Sequence, residues 1–155
     1  MNIQLKAYWE NQNLFRPEQG VTYSKLVSTG SRSSRILTWV NEKGAYNAVM
    51  LDVKRILDKV TWGTSYSSFE AGILELGLIF GFLSERPEKI TGVGPDNLWN
   101  IQGKMFWVIE CKNQVELKRT TISKDEAGQL NNSISWFKQH YETESCAPIL
   151  IHPAN

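Results

Sequence analysis

Residues 94–112 read GPDNLWNIQGKMFWVIECK, and the fold of the middle of the chain follows from this stretch. Apolar and aromatic runs lie on either side of Gln102-Gly103, a turn signal, so the stretch predicts a β-hairpin centred on Gly103. Asp96 lies seven residues before that centre and Glu110 lies seven residues after it. In an antiparallel pair folded there, the two carboxylates lie opposite each other, with Cβ atoms roughly 5 Å apart.

The predicted hairpin gathers charged groups on one face. Side chains alternate between the faces of a strand, so Glu110 and Lys112 share a face and Cys111 points the other way. Carboxylates that face each other destabilise a sheet, and a divalent cation removes that conflict, because Mg²⁺ binds Asp and Glu oxygens together with waters and phosphates. Asp96 and Glu110 are therefore candidate metal ligands, with the backbone carbonyl of Cys111 as a third. A surface salt-bridge cluster is the structural alternative.

Lys112 has a candidate role in phosphodiester hydrolysis. That reaction needs a metal that lowers the pKa of a water, and a cation that stabilises the charge developing on the phosphate. Lys112 suits the second role, or the orientation of the attacking water. The residue types at 96, 110 and 112 thus favour metal-dependent phosphodiester hydrolysis.

The composition is that of an ordinary globular chain. The 155 residues are enough for one domain, alone or with an appendage. Hydrophobic residues make up 41% of the chain, which is sufficient for a core. The net charge of +1 provides no overall basic field, so nucleic-acid binding requires a local patch.

Three further features bear on cofactors and compartment. Cys111 and Cys146 lack the spacing of a zinc site. The N-terminus shows no signal peptide, and the longest apolar run, around 73–83, is too short and too interrupted to span a bilayer. The expected compartment is therefore the cytoplasm, with no membrane partner.

Periodicity and capping signals predict an α/β order of elements. The predicted elements are a helix at about 42–60, a largely buried helix from about 67 to 80, a strand over about 81–86, the hairpin at 96–111, a helix at about 124–141 and a strand at 148–153. Ser67 and Glu70, and likewise Ser123 and Glu126, have the spacing of a capping box. The order is helix, three strands, helix, strand.

The N-terminal part of the chain gives weaker signals. Residues 1–18 favour a short helix ending at Pro17, and residues 28–35 are typical of a loop. We therefore expect an N-terminal extension over 1–40 and one domain over 41–155.

The chain resembles a known family of nucleases at its hairpin. Pro95-Asp96, followed by Glu110-Cys111-Lys112, resembles the P-D…(D/E)-x-K signature of restriction-endonuclease-like nucleases. A wider pattern, from Phe69-Glu70 to Tyr141, is similar to the nuclease-like domain at the C-terminal end of some bacterial superfamily II helicases. This resemblance covers about residues 45–153, and the first 40 residues match no family. Because the chain stops soon after the last strand, we expect a standalone truncated copy or a piece of a longer protein.

The resemblance implies a fold, an activity and site residues. The fold is a restriction-endonuclease-like core (helix, three-stranded antiparallel meander, helix, strand), here with an N-terminal helical extension. The activity is that of a DNA endonuclease that uses Mg²⁺, with Mn²⁺ as a substitute, and Asp96, Glu110 and Lys112 form its centre. Glu70 completes the metal site on the preceding helix, and Gln129 contributes from the following one. The alternatives are a capping-box role for Glu70, with Glu75 in its place, and a solvated Gln129.

The implied partners are DNA, a helicase or its remaining domains, and a second copy of the chain, which double-strand cleavage by one site per chain requires. Candidates for phosphate contacts, which position DNA without reading its bases, are Lys118, Arg119, Lys124, Arg32, Arg35 and the Arg86–Lys89 loop. Trp99 is a candidate for the border of the cleft.

Two other functions stay open: a catalytically silent DNA-binding or docking module on the same fold, and a protein-interaction domain.

Overall fold

The computed structural model describes residues 8–10, 13–15, 22–27, 30–113 and 121–152. Its elements, in chain order, are β1 Tyr8–Glu10, β2 Asn13–Phe15, α1 Arg32–Lys43, α2 Tyr46–Lys59, α3 Tyr66–Ile79, β3 Leu83–Glu85, α4 Pro87–Thr91, β4 Asn97–Gln102, β5 Met105–Cys111, α5 Lys124–His140 and β6 Ser145–Ile151. Among the helices of these ranges, none combines the length and apolar content that a membrane span requires.

The main sheet has four strands in the order β3-β4-β5-β6. Strands β3, β4 and β5 form an antiparallel meander, and β6 joins β5 in parallel after α5 has crossed back. The predicted α/β class and the order of the strands and their flanking helices are therefore confirmed, except that a short helix, α4, which the sequence does not predict, lies between β3 and β4. The sheet is mixed. The last strand begins at Ser145, three residues before its predicted start at 148.

The hairpin has the register that its sequence predicts. Asn97 pairs with Ile109 and Trp99 with Trp107, so the pairing is symmetric about Gly103, which takes a φ of +55° in the turn. One residue beyond the first pair, the same register sets Asp96 beside Glu110. The two carboxylates thus lie at the end of the sheet that is opposite the turn.

Two helical layers cover the two faces of this sheet. On one face, α3 packs through a cluster of buried residues made of Phe69, Ile73, Phe82, Trp99, Ile109 and Cys111. On the other face, α5 packs through Leu98, Phe106, Val108, Trp136, Phe137 and Tyr141. Gly77 allows the close approach of α3, because a Cβ there would lie 2.7 Å from the Trp99 ring. The first turns of α3 and the first half of α5 both border a cavity at the carboxylate end of the sheet.

Several predicted boundaries are wrong for local reasons. The predicted loop at 28–35 contains the start of α1, which Ser31 caps by accepting a hydrogen bond from the Ser34 N–H. The predicted helix at 42–60 corresponds to α2, Tyr46–Lys59, which begins about four residues later than predicted, because Gly44 takes a φ of +72° and ends the preceding helix α1 at Lys43. Hydrophobic periodicity continues across this break, so it does not reveal it.

The N-terminal extension also differs from its prediction. The described part of residues 1–18 contains β1 and β2, paired with Tyr8 opposite Phe15, and not a short helix; Pro17 itself lies outside the described residues. Helix α1 spans 32–43 and so crosses the predicted boundary at 40. The division into an extension and a domain stays a prediction.

Candidate active site

A cavity of about 590 Å³ opens at the carboxylate end of the sheet, between α3 and α5. All five side chains that the sequence predicts for the site line this cavity: Glu70, Asp96, Glu110, Lys112 and Gln129. They come from α3, the start of β4, the end of β5 and α5, so packing of the two helical layers on the sheet brings them together.

Asp96 is oriented by the neighbouring strand. Its side chain is buried, and the backbone N–H of Cys111 donates a 2.7 Å hydrogen bond to Asp96 Oδ2. A hydrogen bond to a charged acceptor is about twice as strong as one between neutral groups. The end of β5 therefore holds the Asp96 carboxylate in one orientation, facing the cavity.

Glu110 lies between a serine and the lysine of its own motif. The Ser133 hydroxyl of α5 donates a 2.6 Å hydrogen bond to Glu110 Oε1, and Lys112 Nζ lies 3.5 Å from Glu110 Oε2. Burial raises the pKa of Glu110, and the nearby charge of Asp96 raises it further, against the opposing effects of Ser133 and Lys112. Ser133 and Lys112 thus orient the Glu110 carboxylate, but they do not fully offset the effects of burial and of Asp96 on its pKa.

Lys112 comes directly after β5 and continues the alternation of side chains between the two faces of that strand. Its backbone N–H donates a 2.8 Å hydrogen bond to the Ile151 carbonyl, which extends the pairing of β5 with β6 by one residue. Lys112 therefore lies on the face of Glu110, and Cys111 packs in the cluster under α3, as the alternation predicts. Burial raises the pKa of the Cys111 thiol, and both cysteines are free.

Glu70 is a cavity residue and does not act as a capping partner. Helix α3 begins earlier than predicted, because the hydroxyl of Ser65 caps it by accepting from the Ser68 N–H. The capping box predicted for Ser67 and Glu70 is therefore wrong. The Glu70 carboxylate instead forms an ion pair with Arg86, and burial, followed by the charge of Asp96, raises its pKa.

Glu75, the alternative to Glu70, lies elsewhere. Its carboxylate is 2.6 Å from Lys59 Nζ and 2.9 Å from a guanidinium nitrogen of Arg55, both on α2. Five residues along a helix correspond to a rotation of about 140°, which turns Glu75 toward α2 while Glu70 faces the cavity.

Helix α5 presents one face to the cavity. Ser123 and Glu126 form the predicted capping box, with the Glu126 N–H 3.2 Å from Ser123 Oγ and the Ser123 N–H 2.7 Å from Glu126 Oε2. Gln129 and Asn132 follow on the same side of the helix and line the cavity. Gln129 is exposed within it, so its amide is available to a ligand.

Glu88 adds another carboxylate to the cavity, from a segment that the sequence predicts as a loop. It lies in α4, a short helix that begins at Pro87. Proline at the first helical position is a known start signal, so Arg86-Pro87-Glu88 could have revealed this turn. Partial withdrawal from water, a hydrogen bond to Asp96 and the surrounding carboxylates raise the pKa of Glu88 to about 7.

The candidate DNA contacts are distributed differently. Arg32 and Arg35 donate hydrogen bonds to the carbonyls of Phe80 and Gly81 (2.6 and 2.7 Å) and do not line the cavity. Lys89 and Arg86 line a smaller pocket beside Glu70, and Lys124 is exposed on α5. Lys118 and Arg119 lie outside the described residues.

Trp99 does not border the cleft. It is buried under α3 and stacks on Trp107, with ring centroids 5.8 Å apart. It therefore belongs to the core on the face of the sheet that is opposite α5.

The donor set of the cavity fits a hard divalent cation. The carboxylates of Glu70, Glu88, Asp96 and Glu110 meet there with the ammonium group of Lys112, whereas the carboxylate of Glu126 is engaged in the cap of α5. The charge of Asp96 contributes to the raised pKa of the three glutamates at 70, 88 and 110.

Mg²⁺ would bring its own waters to this site. In the described ranges, no three His, Cys, Asp or Glu side chains already surround a common metal position. Mg²⁺ needs only one or two carboxylates, because it keeps several waters. Asp96 and Glu110, with the Cys111 carbonyl, meet that need.

The proximity of several carboxylates in the cavity predicts how the stability of the metal-free protein depends on pH and on Glu88. A carboxyl group whose pKa is raised on folding contributes stability below its ordinary pKa of 4.5, and this contribution is lost as pH rises through the folded value, about 7 for Glu88. We expect the metal-free protein to unfold at a lower temperature at pH 8 than at pH 5. Glu88→Gln should raise the pH 8 midpoint by roughly 2–4 °C, a modest gain because the exposed part of Glu88 is screened by water.

Thermal unfolding followed by circular dichroism in EDTA checks this prediction. Glu142→Gln, an exposed carboxylate outside the cavity, is the matched control and should leave the midpoint unchanged at both pH values. Mg²⁺ should raise the wild-type midpoint at pH 8. Equal midpoints for Glu88→Gln and wild type at pH 8 would contradict the prediction.

Comparisons with protein families, with curated proteins and with solved structures found no match for this chain. The class of this protein is therefore described from the geometry of its own fold and cavity. It is an α/β domain in which a cluster of carboxylates and a lysine meet at one end of a mixed sheet.

Proposed function

We propose that this protein is a divalent-metal-dependent DNA endonuclease with a PD-(D/E)xK-type site on a restriction-endonuclease-like fold. One observation carries the proposal. The five side chains that the resemblance assigns to the site come from four separate segments, and all five line one cavity. A surface salt-bridge cluster on a hairpin would not require Glu70 from α3 and Gln129 from α5 to join it.

The fold supports the same proposal. The order α3, antiparallel β3-β4-β5, α5 and parallel β6 is the order of elements that the resemblance implies for the nuclease core. The motif residues lie on or next to the two neighbouring strands of the hairpin in this core. Asp96 immediately precedes the middle strand of the meander, and Glu110 lies near the end of the strand beside it.

Each residue has a role that follows from its contacts. Asp96, oriented by the Cys111 N–H, and Glu110, oriented by Ser133, would hold Mg²⁺ or Mn²⁺, with the Cys111 carbonyl as a third oxygen. When bound, the cation lowers the pKa of a water and neutralises charge on the phosphate. Lys112, which lies beside Glu110, would stabilise the charge that develops on the phosphate or orient the attacking water.

Glu70 and Gln129 complete the cavity from its two walls. Glu70 adds a carboxylate from α3, and its ion pair with Arg86 holds that side chain at the rim. Gln129 offers one acceptor and two N–H donors, which suit a water or a phosphate oxygen. The substrate is DNA, and a helicase or its remaining domains and a second copy of the chain are the proposed partners.

Plasmid conversion tests the proposal. Purified protein is incubated with supercoiled DNA in Mg²⁺, in Mn²⁺ and in EDTA, beside Asp96→Asn and the control Asp58→Asn, whose exposed carboxylate pairs with Lys54 on α2. We expect nicked or linear DNA with either metal, none in EDTA and none with Asp96→Asn, while Asp58→Asn cleaves as the wild type does.

The other outcomes separate the alternatives. Folded protein that binds DNA but leaves the plasmid intact in every metal would support the catalytically silent module. Folded protein that does not bind DNA even at low salt, where phosphate contacts are strongest, would contradict both DNA functions and leave the protein-interaction domain.

A further inference from the structure

A second cavity of about 530 Å³ lies along α5 and continues the candidate active site. The two share four lining residues, which are Glu88, Gly94, Asn132 and Ser133. A substrate seated at Asp96 and Glu110 can therefore extend into this second cavity, which we call the α5 groove, without leaving the protein surface.

The α5 groove has a different chemistry from the site it adjoins. Beyond the shared residues it is lined by Val93, Ser135, Trp136 and Gln139, and among the described residues no lysine or arginine lines it. Phosphates are bound mainly by cationic groups, whereas base edges are read by hydrogen-bonding side chains. The uncharged amides and hydroxyl of this groove therefore suit a nucleobase and not a phosphate.

The polar side chains that α5 contributes to the groove lie on one helical face. Asn132, Ser135 and Gln139 are separated by three and four residues, the spacing that places side chains one above the other along a helix, and all three are exposed. Asn and Gln side chains can make two hydrogen bonds at once to the N6 and N7 edge of adenine. The face is thus equipped to distinguish bases.

The floor of the groove is held in place. Trp136 is buried, with 8% of its surface exposed, and its indole nitrogen has no hydrogen-bond partner within the described part of the chain. The ring packs against Tyr23 and His140, with centroids 4.8 and 4.2 Å away. A Cβ on Gly94 would lie 2.9 Å from the ring, so the loop before Asp96 lies directly on it. A side chain at position 94 would therefore disturb the junction between the groove and the catalytic cavity.

We propose that the α5 groove binds a nucleobase that flanks the scissile phosphate, with Asn132 and Gln139 reading its edge and favouring adenine. This inference rests on the proposed nuclease function and adds to it a base preference at a fixed distance from the cut.

Mapping of cleavage ends tests the inference. DNA duplexes with randomised sequence are cut by wild type, by Gln139→Ala and by Asn131→Ala, and the ends are sequenced. Asn131 is an exposed amide on the same helix that does not line the groove, so Asn131→Ala is the matched control. We expect adenine to be enriched at one position by roughly 5–150-fold in wild type and Asn131→Ala, the range of one bidentate contact, and by much less in Gln139→Ala.

The salt dependence of DNA binding gives a second measurement. Because Gln139 makes no phosphate contact in this proposal, Gln139→Ala should leave the slope of log affinity against log salt unchanged. Wild type that cuts without base preference, or Gln139→Ala that keeps the preference, would overturn the inference and leave the nuclease proposal standing. Wild type that neither cuts nor binds DNA in any metal would overturn both.

Discussion

Lys112→Ala should reduce metal-dependent nicking of supercoiled DNA by about 10²–10³-fold, the loss expected when one group that stabilises transition-state charge is removed. Lys112 Nζ lies 3.5 Å from Glu110 Oε2, and its side chain is only 17% exposed. Among the described residues that line the cavity, Lys112 is the only cation. No other positively charged side chain among the described residues that line the cavity can therefore replace Lys112.

Metal binding should survive this substitution. Removing a positive charge beside Asp96 and Glu110 does not weaken their attraction for a divalent cation, so calorimetric titration with Mn²⁺ should give an affinity no lower than that of the wild type. Lys104→Ala, in the hairpin turn at the other end of the sheet, is the control and should cleave normally. Undiminished nicking by Lys112→Ala would remove Lys112 from the proposed mechanism.

Phe69→Ala should destabilise the fold by about 3–5 kcal/mol, the cost of truncating a buried aromatic side chain. Phe69 is 2% exposed and packs in the cluster that joins α3 to the sheet. Its ring also stacks on Trp62, with centroids 5.3 Å apart. Truncation leaves a cavity that the surrounding strands can fill only in part. For a chain of this length the loss corresponds to a fall of roughly 6–20 °C in the unfolding midpoint.

This substitution should also lower activity, because Phe69 immediately precedes Glu70 and anchors the turn of α3 that carries it. Leu78→Ala is the control on the same helix, since Leu78 is 43% exposed and its truncation removes little buried surface. Thermal unfolding compares the two variants. Equal midpoints for Phe69→Ala and Leu78→Ala would mean that the α3 cluster does not stabilise the fold.

The hairpin shows which parts of the site could be predicted. Its two strands and its turn are neighbours in the chain, so the centre at Gly103 and the period of two specify which residues face each other. Asp96 beside Glu110, and Lys112 on the same face, follow from that local rule. The register of Asn97 with Ile109 agrees with it.

Positions that depend on helix packing were harder to predict. The sequence allows two interpretations of Glu70, and only the start of α3 at Tyr66, with Ser65 as its cap, distinguishes a cavity residue from a capping residue. The sequence predicts a loop at Glu88, because α4 is one short turn with no periodicity to detect. Cap spacing and periodicity describe a single helix or strand. They therefore do not predict which other helix or strand packs against it.

The order of strands β3 to β6 and of helices α3 and α5, the hairpin register and the motif residues at 96, 110 and 112 follow from the sequence alone, because these depend on contacts between near neighbours in the chain. The short helix α4 does not follow from it. The tertiary structure adds that Glu70, Glu88 and Gln129 share a cavity with them, and that a groove lined by no lysine or arginine among the described residues continues this cavity along α5. Those arrangements depend on how two helical layers pack against opposite faces of one sheet, which is a property of distant segments and their buried surfaces.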